Sequence, residues 1–175
     1  ATAAKAAKLG GAVLAPPFDM PTIGRCAILA DADGASFGII QPETEMGLPY
    51  DEEAAPPGFI GWNELMCADY TKSMAFFGEL FGWVESDAMD MGGMIYQLFK
   101  LSGMEHATGG MMNRPAEMPR STFMHYIMVD EIDAAVGRVK AAGGTVNHGP
   151  MAVPSGTRII ICTDPQGGAF ALMGK

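Results

Sequence analysis

The sequence is poor in cysteine, in long apolar runs and in positive charge, and each shortage excludes a class of protein. Its three cysteines lack metal-site spacing, which indicates buried free thiols in a reducing compartment, the cytoplasm. No apolar run approaches the roughly 18 residues of a membrane span, and no secretory leader is recognisable, so we expect no membrane partner. The net charge of −9 argues against nucleic acid as a partner.

Several catalytic motifs are also missing. The chain has no glycine-rich phosphate loop, no nucleophile elbow and no paired-cysteine motif. Its three histidines, His106, His125 and His148, precede a strand, face a helix layer and occupy a bend, respectively, so their placement argues against a three-histidine metal site. The apolar fraction of 49% and charged fraction of 18% are typical of a folded globular chain.

What the chain does contain is an internal repeat. Residues 10–37 read GGAVLAPPFDMPTIGRCAILADADGASF, and residues 143–170 read GGTVNHGPMAVPSGTRIIICTDPQGGAF, with ten identities and no gap. Composition alone would give roughly two or three identities, so the repeat predicts one chain path built twice. Arg25 and Arg158 recur in both copies; they either bind an anionic substrate group or tie down the preceding bend, and the second interpretation is favoured.

Hydrophobic spacing predicts the order strand, helix and three strands twice between residues 58 and 175. Asp69 is the predicted N-cap of the first helix and Gly82 its end, while Asp130 is the predicted N-cap of the second. Before this region we expect the end of a helix over residues 1–9. Three strands should follow, at 13–21 with a proline-rich bend, 25–30 and 36–40.

The segments WNELMCADYTKSMAFFGELFGW, HYIMVDEIDAAVGRVKAAGG and ICTDPQGGAFALM resemble the vicinal oxygen chelate superfamily of glyoxalase I, extradiol dioxygenases and bleomycin-resistance proteins. The segment AILADADGASFGIIQP is similar to domain ends in two-domain bacterial members. The resemblance implies an α+β fold in which paired βαβββ modules form an open, curled mixed sheet around a cavity. The implied partner is a small-molecule ligand.

The same resemblance divides the chain. Residues 1–42 correspond to the C-terminal part of a truncated first glyoxalase-like domain, residues 43–57 to a linker, and residues 58–175 to a complete domain of two modules. Three strands alone would expose apolar surface and strand edges. We therefore expect residues 1–42 to dock on the complete domain, to pair with a missing segment, or to take part in a homodimer.

In the family a divalent metal is usually held by residues on the first and last strands of each module. Those positions fall here on Trp62, Met124 and Ala171, and on Gly38 in the first repeat copy. None offers the oxygen or imidazole ligand that a hard divalent ion prefers. We therefore predict that the cavity holds no metal and no other cofactor.

Strand alternation sorts the side chains that would face this cavity. Glu64 is the candidate acid–base residue, because a carboxylate among apolar groups has its charged form disfavoured. Tyr126 is the candidate for orienting a ligand carbonyl. A buried glutamate that pairs with an arginine or caps backbone groups, and a buried tyrosine with a satisfied hydroxyl, are the competing structural explanations. The predicted substrate-binding wall comprises Trp62, Met66, Met124, Met128 and Ala171.

Three functions remain open from the sequence. The first is metal-independent acid–base chemistry on a carbonyl or enolisable compound. The second is binding and sequestration without catalysis, as in the drug-resistance branch, which the acidic charge suits. The third is a metal-dependent lyase or dioxygenase whose ligands come from a missing segment or a partner chain.

Overall fold

The computed structural model describes residues 1–44 and 55–175. Most of the predicted linker at 43–57 therefore lies outside the described residues. The helices are α1 Thr2–Lys8, α2 Tyr70–Phe81 and α3 Ile132–Ala141. The strands are β1 Ala12–Met20, β2 Gly24–Ala30, β3 Ser36–Pro42, β4 Ile60–Cys67, β5 Trp83–Asp90, β6 Ile95–Leu101, β7 Gly109–Asn113, β8 Thr122–Met128, β9 Thr145–Ala152, β10 Arg158–Thr163 and β11 Ala169–Gly174.

The chain divides into two compact units, each assembled from two stretches. The first unit comprises Ala1–Gly47 and Leu65–Phe123, and the second comprises Leu48–Glu64 and Met124–Lys175. Strand β4 contributes its last residues to the first unit and its earlier residues to the second. The first unit contains α1 and α2, and the second contains α3.

In the first unit, strands β1, β2 and β3 form an antiparallel sheet, and strands β5, β6, β7 and β4 lie side by side in that order. An aromatic cluster forms the core. Phe77 on α2 has no exposed surface and packs against Trp83, with ring centroids 4.9 Å apart. Phe37 on β3 meets the ring of Phe77 edge-on at 5.4 Å. Strand β3 is therefore packed against α2 within the first unit, and the assignment of residues 1–42 to a truncated first domain stays a prediction.

In the second unit the strand order is β4, β8, β11, β10 and β9. Strand β11 pairs with β8 in parallel and with β10 antiparallel, so the pairing is mixed. The core lies between these strands and α3, where Ile132, Ile160 and Cys162 have no exposed surface. The βαβββ order predicted for each half is present, which confirms the α+β class. The sheets are open and uncurled, so the predicted curl around a cavity is not what the structure shows.

Local sequence explains the ends of α2 but not the start of α3. The Asp69 carboxylate accepts hydrogen bonds from the backbone N–H groups of Thr71 and Lys72, as an N-cap does, and Gly82 ends the helix in the left-handed conformation at φ 77°. The prediction that Asp130 caps α3 was wrong. Glu131 occupies the N-cap position without a side-chain bond, and the first helical N–H, that of Ile132, donates to the Lys175 carbonyl instead.

The internal repeat is also a structural repeat. Ala12 pairs with Ala30 in the first copy, and Thr145 pairs with Thr163, 133 residues later, in the second. Both copies shift register at equivalent places. The proline-rich bend expected near the end of β1 is part of the strand, because these irregularities let β1 continue through its prolines to Met20.

The helices of the described residues are short. They have seven, twelve and ten residues, and none combines the length and the apolar character that crossing a bilayer would require.

Candidate functional site

The second unit brings together Glu64 and Tyr126, the two residues that the sequence singles out for acid–base chemistry. Glu64 lies on β4 with 7% of its surface exposed, and Tyr126 lies on β8 with 4% exposed. The Tyr126 hydroxyl donates a hydrogen bond to the Glu64 carboxylate, with 3.2 Å between Oη and Oε1. In this contact the partner of Glu64 is a tyrosine and not the arginine that one structural explanation expected. The satisfied hydroxyl expected of a buried tyrosine is present.

The environment of Tyr126 determines its protonation. Burial raises the pKa of its phenol, and the neighbouring Glu64 raises it further through its charge and the hydrogen bond. A phenol with a pKa above its ordinary value near 10 stays protonated at neutral pH. Tyr126 is therefore a hydrogen-bond donor in this site rather than a phenolate base.

Ala171 lies next to Tyr126. The parallel register of β8 and β11 pairs Ala171 with Tyr126, and Ala171 has no exposed surface. Ala171 in turn pairs with Ile161, and Ile161 with His148. His148 lies at a register irregularity of β9, where the sequence indicated a bend.

The other predicted wall residues are mostly buried. Met66 and Met124 are 8% and 7% exposed, and Trp62 and Met128 are half-buried. The Met128 side chain lies over Gly61, where an added Cβ would clash with its sulfur. Met66 belongs to the first unit, whereas Trp62, Met124 and Met128 belong to the second.

His125 takes part in a contact that sequence reasoning missed. Its Nδ1–H donates to the Asn63 side-chain carbonyl at 2.9 Å, and burial lowers the pKa of the imidazole. Both residues lie one position before the Glu64–Tyr126 pair on β4 and β8, so alternation directs them to the other side of the strands. The common spacing of 62 residues between the halves was the available signal.

Arg25 and Arg158 are occupied by carboxylates. Arg25 forms an ion pair with Asp19 at 2.5 Å. Arg158 binds Asp133 with both nitrogens, at 2.8 and 3.0 Å. A structural role in ion pairing is therefore better supported for both arginines than the binding of an anionic substrate group.

The residues at the family's metal positions do not fit a divalent ion. Trp62 and Ala171 supply no ligand atom, and Met124 supplies only a thioether, which suits soft metals. Among residues 1–44 and 55–175, no group of three or more His, Cys, Asp or Glu residues is arranged to hold a metal ion.

Two further buried polar residues, Asp31 and Ser121, line a cleft of about 470 Å³ in the first unit. Neither residue was a candidate from the sequence. Their burial depends on segments about 90 residues apart, which explains why local patterns could not reveal it.

The fold and the site define a class: an α+β protein of paired βαβββ modules with a buried carboxylate–phenol pair. The chain belongs to the Glyoxalase/Bleomycin resistance protein/Dioxygenase superfamily, whose model matches residues 59–172. This confirms the resemblance stated from the sequence.

Curated relatives extend the match beyond that region. A Mycobacterium bovis protein named "Putative glyoxylase CFP32" is 31% identical over 164 residues, covering 94% of this chain and 61% of that protein. The anthracycline biosynthesis protein DauV of Streptomyces sp. strain C5 is 28% identical over 167 residues, covering 94% of this chain and 58% of its own length. The chain thus spans about three fifths of the length of these relatives.

Solved structures share the fold. The 2,3-dioxygenase LapB of Pseudomonas sp. KL28 has a TM-score of 0.64 at 15% identity, covering 99% of this chain and 66% of that chain. Streptomyces coelicolor methylmalonyl-CoA epimerase has a TM-score of 0.52 at 15% identity, covering 66% of this chain and 96% of that chain. At such identities the similarity establishes the fold alone.

Proposed function

We propose that this protein is a metal-independent member of the superfamily that performs acid–base chemistry on a small carbonyl or enolisable compound. Glu64 is the proton acceptor and donor, and Tyr126 orients the reacting carbonyl. The observation that carries the proposal is the hydrogen bond of 3.2 Å between these two buried side chains. Catalytic pairs often combine one group that exchanges a proton with another that stays protonated and donates a hydrogen bond.

The proposed step is proton abstraction next to a carbonyl group. Glu64 removes a proton from the carbon adjacent to the carbonyl, the C–H electron pair forms the enolate double bond, and negative charge moves onto the carbonyl oxygen. Tyr126 donates its hydroxyl hydrogen bond to that oxygen. Return of a proton from Glu64 to the same carbon regenerates the substrate and exchanges its hydrogen with solvent, whereas protonation of a different carbon of the conjugated enolate completes an isomerisation.

The present hydrogen bond also gives the pair a means of responding to substrate. Tyr126 carries one hydroxyl hydrogen, and it now points to Glu64. A carbonyl oxygen that accepts this hydrogen would withdraw it from Glu64, and a carboxylate with one hydrogen bond fewer is a stronger proton acceptor. Substrate binding would in this way strengthen the base at the time it is needed.

The apolar surroundings and the relatives support a small-molecule substrate. Met124 and Ala171 are buried apolar residues at predicted wall positions in the second unit, and a few polar groups in an apolar wall are typical of small-molecule sites. Relatives named as a glyoxylase and as an anthracycline biosynthesis protein agree with a carbonyl-containing substrate. The free state of Cys26, Cys67 and Cys162 agrees with a reducing compartment.

Solvent deuterium exchange tests the proposed step. The protein would be incubated in D₂O with a panel of 2-oxo acids, β-diketones and hydroxyquinones, and loss of the C–H signal followed by NMR. Glu64→Gln keeps a hydrogen-bond acceptor for Tyr126 but cannot take the proton, so exchange should fall by at least about 10²-fold. Tyr126→Phe should slow exchange by about 10- to 10³-fold, because the enolate loses its donor.

A control variant and a binding measurement separate this proposal from sequestration. Asn63→Asp changes the neighbouring position without touching the pair and should leave exchange within a few-fold of the unchanged protein. Exchange that survives Glu64→Gln would disprove the acid–base role. Tight binding of a cationic aromatic drug without exchange of any panel compound would instead favour sequestration, which the net charge of −9 suits.

A further inference from the structure

A second cleft, in the first unit, has the features of a binding site. Its volume is about 470 Å³, and it is lined by residues of β1, of the turn after β2 and of the segment that leads into β8. Small-molecule sites usually have volumes of roughly 300 to 1,000 Å³. None of the residues proposed for acid–base chemistry lines this cleft.

Asp31 lines the cleft and has one buried carboxylate oxygen without a hydrogen-bond partner among the described residues. Its Oδ1 accepts hydrogen bonds from the backbone N–H groups of Asp33 and Ala35, at 3.0 and 2.8 Å. Its Oδ2 is buried and has no hydrogen-bond partner among the described residues, and Asp31 as a whole is 4% exposed. An unpaired buried carboxylate oxygen is costly, so this atom is a candidate for contact with a ligand.

The second copy of the repeat shows that the turn does not require this burial. Asp164 is the counterpart of Asp31, and its Oδ1 accepts from the N–H groups of Gln166 and Gly168 at 2.8 and 2.7 Å. The two turns therefore have the same hydrogen bonds, yet Asp164 is only half-buried. Burial of Asp31 is a property of the cleft and not of the turn.

Ser121 supplies a second unpaired group. It is 2% exposed, and its Oγ has no hydrogen-bond partner among residues 1–44 and 55–175. Arg120, next to it, is exposed and also lines the cleft. The residues that line the cleft therefore include two with an unpaired buried oxygen and one with an exposed guanidinium group.

We propose that this cleft binds a small amino-acid-like zwitterion. The protonated amine of the ligand donates hydrogen bonds to Asp31 Oδ2 and Ser121 Oγ, and its carboxylate pairs with Arg120. A protonated amine has three donors and no acceptor, which matches two unpaired oxygens, and guanidinium groups bind carboxylates well. The apolar side chains of Ala12 and Leu14 line the rest of the cleft.

The electrostatics of Asp31 agree with a cationic ligand group. Burial raises the pKa of its carboxyl, and hydrogen bonds from Ala35 and Asp33 only partly oppose this. A bound amine would favour the ionised carboxylate again. Binding should therefore release a proton wherever the free protein holds Asp31 partly protonated.

Calorimetric titration of the 175-residue chain tests the proposal. The probes are glycine, β-alanine, 4-aminobutanoate and 5-aminopentanoate, which separate amine and carboxylate by one to four carbons. Butylamine and butanoate serve as single-charge comparisons. One of the zwitterions should bind at least tenfold more tightly than either single-charge compound. Absence of binding by all four zwitterions up to 10 mM overturns the proposal.

Substitutions of Asp31 and Ser121 test whether these two side chains bind the zwitterion. Asp31→Asn retains the oxygen that accepts from Asp33 and Ala35 but replaces Oδ2 with an amide donor, so it should weaken zwitterion binding at least tenfold. Ser121→Ala should weaken binding several-fold while leaving the melting temperature of the ligand-free protein unchanged or higher, because it removes an unpaired buried hydroxyl.

The matched control is Asp164→Asn, which makes the same substitution in the equivalent turn outside the cleft. It should leave affinity unchanged. Equal loss of affinity in Asp31→Asn and Asp164→Asn, or full affinity in both Asp31→Asn and Ser121→Ala, would show that the zwitterion binds elsewhere.

Discussion

Truncating Phe37 tests whether strands β1 to β3 are held on the helix layer of the first unit. The Phe37 ring meets the rings of Phe76, Phe77 and Phe81 at 6.5, 5.4 and 5.7 Å, in each case edge-on. Phe→Ala at a fully buried position costs about 3–5 kcal/mol. Because Phe37 is only partly buried and its ring pairs add about 0.5–1.5 kcal/mol each, Phe37→Ala should cost roughly 2–4 kcal/mol.

Urea unfolding measures this cost through tryptophan fluorescence. The chain has two tryptophans, so a Trp62→Phe background leaves Trp83 as the only reporter. Trp83 stacks on Phe77 and Phe99, with centroids 4.9 and 4.2 Å apart, and therefore reports on the same core. Relative to a typical stability of about 5–15 kcal/mol, the expected loss should shift the unfolding midpoint clearly.

The repeat provides a control for this experiment. Phe170 is the counterpart of Phe37 and packs against the α3 core of the second unit, so Phe170→Ala should also cost about 2–4 kcal/mol. Phe37→Leu, which keeps most of the apolar volume, should cost about 1 kcal/mol. If Phe37→Ala cost less than about 0.5 kcal/mol while Phe170→Ala cost its expected amount, strands β1 to β3 would not be packed on α2.

Two further predictions concern metal and thiol chemistry. Elemental analysis of the purified protein should find far less than one zinc, iron or nickel per chain, since Trp62, Met124 and Ala171 supply no suitable ligands; one retained equivalent would contradict the metal-independent proposal. Burial raises the pKa of the Cys67 thiol to about 11, so iodoacetamide at pH 8 should label Cys26 first, and labelling of Cys67 should accelerate as pH rises toward that value. Equal labelling of both thiols at pH 8, read by peptide mass spectrometry, would refute this.

Local patterns predicted the elements whose ends are set by their own residues. Helix α2 has apolar spacing, an aspartate N-cap and a glycine end, and each acts locally. The start of α3 could not be predicted in the same way, because the Lys175 carbonyl satisfies the Ile132 N–H from the far end of the chain. Strand β1 continues through its prolines because its pairing with β2 shifts register twice next to them. Such register shifts have no simple signature in the sequence.

The distinction between local patterns and contacts from distant segments also applies to the acid–base pair and to the cleft of the first unit. Strand alternation sufficed to put Glu64 and Tyr126 on the same predicted face, since a period of two is a property of each strand alone. The sequence around Asp31 closely resembles that around Asp164, and the turn hydrogen bonds match. What differs is the segment at residues 120–122 that lines the cleft beside Asp31, and that difference arises only in the folded chain.

Both proposed sites contain a buried carboxylate. Asp31 and Glu64 are the buried acidic residues in the described part of the chain, and a buried carboxylate requires compensation. Glu64 receives it from Tyr126, whereas one oxygen of Asp31 has none within the described residues. This difference underlies the distinct roles that we propose, proton exchange for Glu64 and contact with a ligand amine for Asp31.

The residue at position 171 completes this argument for the acid–base site. In the family that position usually carries a metal-binding carboxylate, and here it is a fully buried alanine paired with Tyr126. Without a cation to neutralise them, a second carboxylate at position 171 would add a like charge near Glu64, and one of the two groups would have to stay protonated. Alanine at position 171 therefore fits the proposed role of Glu64, because it adds no competing charge beside the Glu64–Tyr126 pair.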